Sequence, residues 1–152
     1  MLKEADRFRA ALLEAQAAAN EDEVPVGAIV LDKDGKIIGR GHNRREQNQC
    51  PTAHAEILAI NDAAETIKSW RLIDCTLIVT LEPCPMCLAA CQQARISQIF
   101  YGAADPKGGA ISLGYKLHED LRTHHRFTVT FEETVDCSAI LQTFFKSKRA
   151  LK

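Results

Sequence analysis

No run of apolar residues in this sequence reaches the length of a signal-peptide core or a membrane span, and the first residues, Met1-Leu2-Lys3-Glu4-Ala5-Asp6, mix charges of both signs. The expectation is a protein that stays in the cytoplasm and meets no membrane. Charge of one sign is missing too: nineteen Lys and Arg stand against twenty Asp and Glu, a formal net charge of -1. That excludes a bulk polycation coating nucleic acid indiscriminately, so any such contact has to come from a local patch. Internal repeats, linkers and low-complexity tracts are absent. With 46% hydrophobic and 26% charged residues the balance is that of a folded soluble chain, which excludes disorder, collagen-like repeats and coiled coil. At 152 residues the chain reads as one domain, 1–152, large enough to bury a substantial core.

Ala5, Phe8, Leu12, Ala15 and Ala19 recur at helical spacing, so about Lys3 to Asn20 reads as an amphipathic helix. Val26 to Leu31 and Lys36 to Gly41 flank the turn signal Asp32-Lys33-Asp34-Gly35 and predict a hairpin. Thr52 is placed to cap a helix running from near Ala53 to about Glu65, with Pro51 fixing its entry. Thr76 to Thr80 reads as a buried strand, Pro85 to Ala94 as a helix and Ile96 to Tyr101 as a second strand. Strand, helix, strand in so short a span is a βαβ unit with parallel pairing, so the fold class is α/β. From Gly102 to about Thr123 the chain is a long loop with at most one short helix. Phe127, Val129 and Phe131 alternate as in a strand with one buried face, and Ile140, Leu141, Phe144 and Phe145 mark the inner face of a last helix from about Asp136.

Six cysteines in a chain expected among reduced thiols point away from disulfides, and the close pair Cys84 and Cys87 points to metal or catalysis. His54-Ala55-Glu56 opens one predicted helix and Pro83-Cys84-Pro85-Met86-Cys87 opens another. Helix N-termini stabilise negative charge and so favour thiolates, and one imidazole with two thiolates suits zinc. Three protein ligands, His54, Cys84 and Cys87, leave the fourth tetrahedral position open to water, whose pKa the metal lowers. Glu56, two residues from a ligand, reaches that water without binding the metal. Cys91, four residues after Cys87, offers the bland alternative of a closed Cys3His site in which zinc is only structural and Glu56 has no role. Cys75 and Cys137 read as small buried hydrophobes. The H-x-E and P-C-x-x-C pair is the signature of zinc nucleobase deaminases, matched here as a pattern.

On these residues the chain resembles the bacterial tRNA-specific adenosine deaminases, within the cytidine-deaminase-like superfamily. The resemblance runs through Glu23 to Ala28, Gly41-His42-Asn43-Arg44, Pro51 to Ile57, Trp70 to Asp74, Thr80 to Cys84, Tyr101-Gly102-Ala103 and Phe144-Phe145. It implies a three-layer α/β/α fold with a mixed five-stranded sheet, a homodimer, a zinc ion, and conversion of adenosine to inosine at the wobble position of a tRNA anticodon. By the same resemblance Asn43 hydrogen-bonds the flipped base and Asp105 lies near the nucleotide sugar. Hydroxide on zinc is then expected to attack C6 of adenine, with Glu56 taking the water proton and returning protons to N1 and the departing ammonia. Cys50 stands where the family carries an acidic residue, and Gly108-Gly109-Ala110-Ile111 departs from its loop pattern.

Other readings stand beside these. Asn43 also reads as a plain turn residue after the hairpin. Arg122, His124, His125 and Arg126 read equally as RNA contact or solvated surface, and Lys146, Lys148, Arg149 and Lys152 as a phosphate-binding tail or a solvated helix end. The competing functions are a free-nucleobase deaminase of the guanine type and, in a different class, a non-catalytic zinc-stabilised RNA-binding module.

Overall fold

The computed structural model describes residues 4–133 and 135–151. Its elements in chain order are α1 (Glu4–Asn20), β1 (Gly27–Leu31), β2 (Ile37–His42), α2 (Arg45–Asn48), α3 (Ala55–Ile67), β3 (Thr76–Val79), α4 (Pro85–Gln93), β4 (Gln98–Tyr101), a 3-10 turn at Leu117–Glu119, β5 (Thr128–Phe131) and α5 (Ser138–Ala150). The five strands form one mixed sheet in the order β2-β1-β3-β4-β5. The hairpin strands are antiparallel, and Asp32 holds its turn by accepting hydrogen bonds from the N–H groups of Asp34 and Lys36, both at 2.9 Å. β3 and β4 pair in parallel across α4, as the βαβ spacing predicts, and β5 adds in parallel at the edge.

Because side chains alternate across a strand, each face of the sheet builds its own core. Ala28, Val30, Leu77, Val79 and Ile99 point to one side, where Ala55, Ala59 and Ala63 of α3 and Leu88 and Cys91 of α4 meet them. Ile29, Leu31 and Ile78 point to the other, against Phe8 and Ala11 of α1 and Cys137. The result is helices on both sides of a mixed five-stranded sheet, the layering that the resemblance implies. Among the described residues no helix is long and apolar enough to cross a membrane.

The small residues of α3 matter because the helix lies directly on β2. At Gly41 an added Cβ would sit 2.5 Å from both the Ala55 carbonyl oxygen and the Ala59 nitrogen, so the missing side chain is what lets the first turn of α3 press against the strand.

Several local expectations need correction. Thr52 does not cap α3: the chain turns one step later, the Thr52 carbonyl accepts from the His54 N–H at 2.8 Å, and His54 itself is the N-cap residue. The buried face of α1 runs through Phe8, Ala11, Ala15 and Ala18, leaving Ala5 exposed, while Lys3 lies outside the described residues. In β5 Phe127 is buried just before the strand, but Phe131 is 40% exposed, because this is an edge strand where Phe131 stacks on Tyr101 at 5.2 Å. In α5 no side chain is buried: Ile140, Leu141 and Phe144 are half-covered and Phe145 is 43% exposed. This helix packs on α1 at the periphery and reaches little of the sheet. The short helix α2 has no counterpart in the sequence pattern.

Filling the gap at Gly41 is expected to unseat α3. Gly41→Ala should lower unfolding free energy by at least about 2 kcal/mol, the scale of forced overpacking against backbone. Urea denaturation checks this, and a loss below about 0.5 kcal/mol would mean that α3 slides freely on β2.

Candidate active site

His54 and Cys84 occupy the same place on two different helices. Each is the N-cap residue, of α3 and of α4 respectively, with extended backbone and no side-chain capping bond. N-cap side chains usually turn back onto the free N–H groups of the first turn. Here they do not, so the imidazole and the thiol are free to face each other. Pro85 at the first position of α4 needs no N–H partner and carries the geometry suited to a helix start. One turn on, Cys87 brings a second sulfur.

The three side chains converge. The His54 Nδ1 atom lies 3.6 Å from the Cys84 Sγ and 3.5 Å from the Cys87 Sγ, and the three atoms fall within 4.8 Å of one another. A tetrahedral zinc with ordinary Zn–N and Zn–S lengths sets its nitrogen and sulfur ligands about 3.6 Å apart. The donor set and its spacing therefore fit zinc. Among the described residues no fourth His, Cys, Asp or Glu joins the cluster. Cys91 is fully buried among apolar side chains of the core, which pushes its thiol well up, and the closed Cys3His arrangement is not formed.

The electrostatics separate the two sulfurs. Hydrogen bonds with Cys87 and then His54 outweigh burial and hold the Cys84 thiol down to about 4. Cys87 is pushed up by its hydrogen bond with Cys84 and by burial, and His54 is raised by its hydrogen bond with Cys84. Glu56, 4% exposed on the first turn of α3, is pushed up to about 7 by burial.

His54, Glu56 and Cys84 open onto a cavity of about 170 Å³ whose walls also include Asn43, Arg45, Glu82 and Asp105, with Val24, Val26 and Leu81 as its apolar part. The cavity thus gathers Asn43 and Asp105, two positions that spacing alone does not connect to the metal motif. Asn43 performs the capping that His54 does not: its Oδ1 accepts the Ala55 N–H at 2.9 Å. Its amide nitrogen makes no hydrogen bond among the described residues and remains available on the cavity wall. Asp105 closes its own turn, its Oδ1 accepting from the Gly108 N–H at 3.1 Å. A larger trough of about 440 Å³, lined in part by Glu23, Glu46, Gln47, Phe144 and Lys148, shares Val24, Asn43 and Arg45 with the cavity and continues it outward.

Two carboxylates carry no signal of a role in the sequence. Glu23 is buried and accepts the N–H groups of Glu46 and Gln47 at 3.2 and 2.7 Å, anchoring α2 and with it Arg45. Glu82 is buried beside the cavity and accepts from the loop after β4. The basic cluster near His124 resolves largely into local structure. Arg122 pairs with Asp120, Arg126 donates to the Leu121 and Thr123 carbonyls, and His125 donates to the Ile96 carbonyl at 2.6 Å while stacking on Phe127. Cys75 and Cys137 are buried, with thiols pushed up by burial to about 11 and about 12. Cys50 is half-buried with its sulfur 3.4 Å from the Thr52 hydroxyl.

The family of MafB19-like deaminases matches the chain over residues 2–149. A tRNA-specific adenosine deaminase from Streptococcus pyogenes serotype M1 is 44% identical over 143 residues, covering 93% of this chain and 83% of that protein. Among solved structures, a tRNA:A34 deaminase studied for A-to-I editing at the wobble position of transfer RNA is 43% identical. It superposes with a TM-score of 0.78 over 84% of this chain and 97% of its own. A guanine deaminase from Bacillus subtilis is 28% identical, with a TM-score of 0.65 over 98% of this chain and 95% of its own.

The convergence of three donors without Cys91 has a direct consequence for metal content. Cys91→Ala is expected to keep one zinc per chain, while Cys84→Ala and Cys87→Ala lose it. Elemental analysis of the purified variants decides the point, and zinc loss in Cys91→Ala equal to that in Cys87→Ala would return the site to the closed form.

Proposed function

We propose that this chain, which belongs to the MafB19-like deaminases and among them to the tRNA-specific adenosine deaminases, converts adenosine to inosine at the wobble position of a tRNA anticodon. The observation that carries the reading is the shared cavity. One wall holds His54 and Cys84 with Cys87 behind them, the next holds a buried carboxylate, and the third offers an unused amide donor. In this reading His54, Cys84 and Cys87 hold zinc, and Glu56, Asn43 and Asp105 act on the substrate.

When bound there, zinc supplies a Lewis acid that brings water into reach of deprotonation near neutral pH. The protein's own groups do the rest. Glu56 accepts one proton from the water that adds to C6 of adenine and passes it to N1, then takes the second from the hydroxyl now on C6 and passes it to the amino group, which leaves as ammonia while C6 becomes a carbonyl. The low exposure of Glu56 keeps bulk water from competing for that proton. The Asn43 amide donates to the base edge, and because its Oδ1 is tied to α3 the donor is held in register with His54 and Glu56. Asp105 accepts from the sugar hydroxyls. A cavity of this size takes one base and no stacked pair, which favours an unpaired loop over duplex. Flanking nucleotides of an anticodon stem-loop follow the outer trough, where Arg45, Phe144 and Lys148 stand. A homodimer, which the family resemblance implies, accords with the exposed apolar Leu113, Tyr115 and Leu121 on the loop beyond the site, and action on tRNA fits the cytoplasm.

The guanine-type alternative is not favoured. The similarity is markedly higher to the tRNA-specific enzyme than to the guanine deaminase, at 44% against 28% identity. The non-catalytic module leaves buried Glu56 unexplained.

An anticodon stem-loop hairpin with adenosine at the wobble position should yield inosine with far higher kcat/KM than free guanine, cytosine or adenine are deaminated. Faster turnover of guanine would transfer the case to the alternative. Glu56→Ala should retain zinc and fold while losing at least ~10²-fold in kcat, the scale of general acid–base assistance. Near-normal turnover in that variant would remove Glu56 from the mechanism.

The basic tail gives a separate check. Lys148 is already paired with Asp22, leaving Lys146 and Arg149 in the last turns of α5 exposed to solvent. Removing the residues after Phe145 should weaken hairpin binding and flatten the log–log salt dependence by about 0.7 for each phosphate that the tail no longer neutralises, with zinc content unchanged. An identical slope in the truncated protein would leave the tail as a solvated helix end.

A further inference from the structure

Glu82 is a buried acid that the chemistry above does not use. It stands two residues before Cys84 and is 3% exposed. Its carboxylate accepts three hydrogen bonds, all from the irregular loop that follows β4. The Asp105 N–H and the Ser112 hydroxyl donate to Oε1 at 3.0 and 2.7 Å, and the Ser112 N–H donates to Oε2 at 2.8 Å. The Glu82 N–H in turn donates to the Ala103 carbonyl at 2.8 Å. Gly109 lies flat against the same carboxylate: an added Cβ there would fall 2.0 Å from Oε2. A loop with no helix or strand between Ala103 and Ser112 is thus wrapped around one side chain, and that loop carries Asp105 to the cavity wall.

We infer that Glu82 is a positioning residue for the substrate: by gathering Asp105, Gly109 and Ser112 it sets where the Asp105 loop stands over the cavity that holds His54 and Glu56. The inference rests on the deaminase reading of that cavity. A carboxylate is the group that suits the place, because every contact brings a hydrogen and every lone pair used belongs to an acceptor. Glutamine offers one accepting atom and sets its own NH2 against a loop N–H. A buried N–H left without an acceptor is costly enough for the loop to move. The metal-binding side chains and Glu56 ride on α3 and α4, whose first turns have bonds of their own, including Leu88 N–H to the Cys84 carbonyl and Ala55 N–H to Asn43; the loop also donates the Ala110 N–H to the Pro83 carbonyl at 2.8 Å, a bond in which the Glu82 carboxylate takes no part. Removing the Glu82 hydrogen bonds therefore weakens substrate binding and spares the chemical step.

The test compares the zinc-loaded wild-type protein with Glu82→Gln, Ser112→Ala and Gly109→Ala. The readouts are zinc per chain, hydrogen exchange of the 103–112 backbone, and kcat and KM on the adenosine-containing anticodon hairpin. Glu82→Gln is expected to raise KM by roughly tenfold or more with kcat changed by less than about threefold, as when a buried hydrogen bond that acts on binding is removed. Zinc stays at one per chain and exchange accelerates in the loop alone. Ser112→Ala, which removes one of the three donors, moves the same quantities by less, and Gly109→Ala, whose Cβ displaces the carboxylate, moves them in the same direction. Unchanged exchange and unchanged KM in these variants would overturn the inference. So would loss of zinc with a fall in kcat in Glu82→Gln, which would assign the residue to the Cys84 ligand instead of the loop. If Glu82→Gln does not fold, the two loop variants decide by the same readouts. A wild-type protein that forms no inosine would sink the deaminase reading and the substrate role together, while exchange still reports whether Glu82 holds the loop.

Discussion

The direct contact of α3 with β2 at Gly41 is the constraint on which the site depends. With no side chain between them, the first turn of the helix has one place to sit, and that place puts His54 at the end of the sheet where α4 also begins. Two helix N-termini are thereby aimed at one point. Each brings unpaired backbone N–H groups and the positive end of a macrodipole, a setting that favours a thiolate and a bound anion alike. The price of using His54 and Cys84 as free side chains is an uncapped helix start, and Asn43 from the end of the hairpin relieves it at α3. A residue facing the cavity thus also supports the fold.

How much of this is legible in sequence depends on whether the information is local. The hairpin, the βαβ unit and the two metal-motif helices follow from short-range pattern, and the structure reproduces them within a few residues. His54, Cys84 and Cys87 are legible because spacing within each motif is itself a geometric statement, and the resemblance joins the halves. The capping role of Asn43 is not legible, since its partner Ala55 lies twelve residues on and across a loop. Glu82 gives no sign of burial because its donors are 23 and 30 residues further along the chain. Thr52 misleads for the opposite reason: its type suits a cap, but the turn after Pro51 passes it by. The aromatic pattern of α5 suggests core packing, whereas periodicity reports only that a face is apolar and says nothing of how much protein lies opposite it.

Three buried glutamates line the cavity or the trough beside it, and their surroundings divide the labour between them. Glu23 and Glu82 are each surrounded by N–H donors from segments without long secondary structure, and each fixes a part of the wall, α2 with Arg45 in one case and the Asp105 loop in the other. Glu56 sits instead within a helix beside the histidine and the thiols, with its carboxyl raised by burial. A carboxylate held by several donors is an anchor. One whose burial outweighs its hydrogen bonds, as at Glu56, is a group whose proton is readily exchanged with a neighbour.

Helix α5 contributes no buried side chain and lies mainly on α1, yet Phe144 and Lys148 reach the trough beside the cavity. Detaching such a segment uncovers little apolar surface, so its opening requires far less free energy than melting the sheet. For the same reason folding constrains its sequence less than that of the sheet, with Leu141 still packed on the main core. Substitutions along the exposed face of α5 therefore bear more on what crosses the mouth of the cavity than on melting temperature. A change of substrate range within this architecture thus has a natural starting place in its last helix, where side chains at the mouth of the cavity can be exchanged while the cluster of His54, Cys84 and Cys87 is left in place.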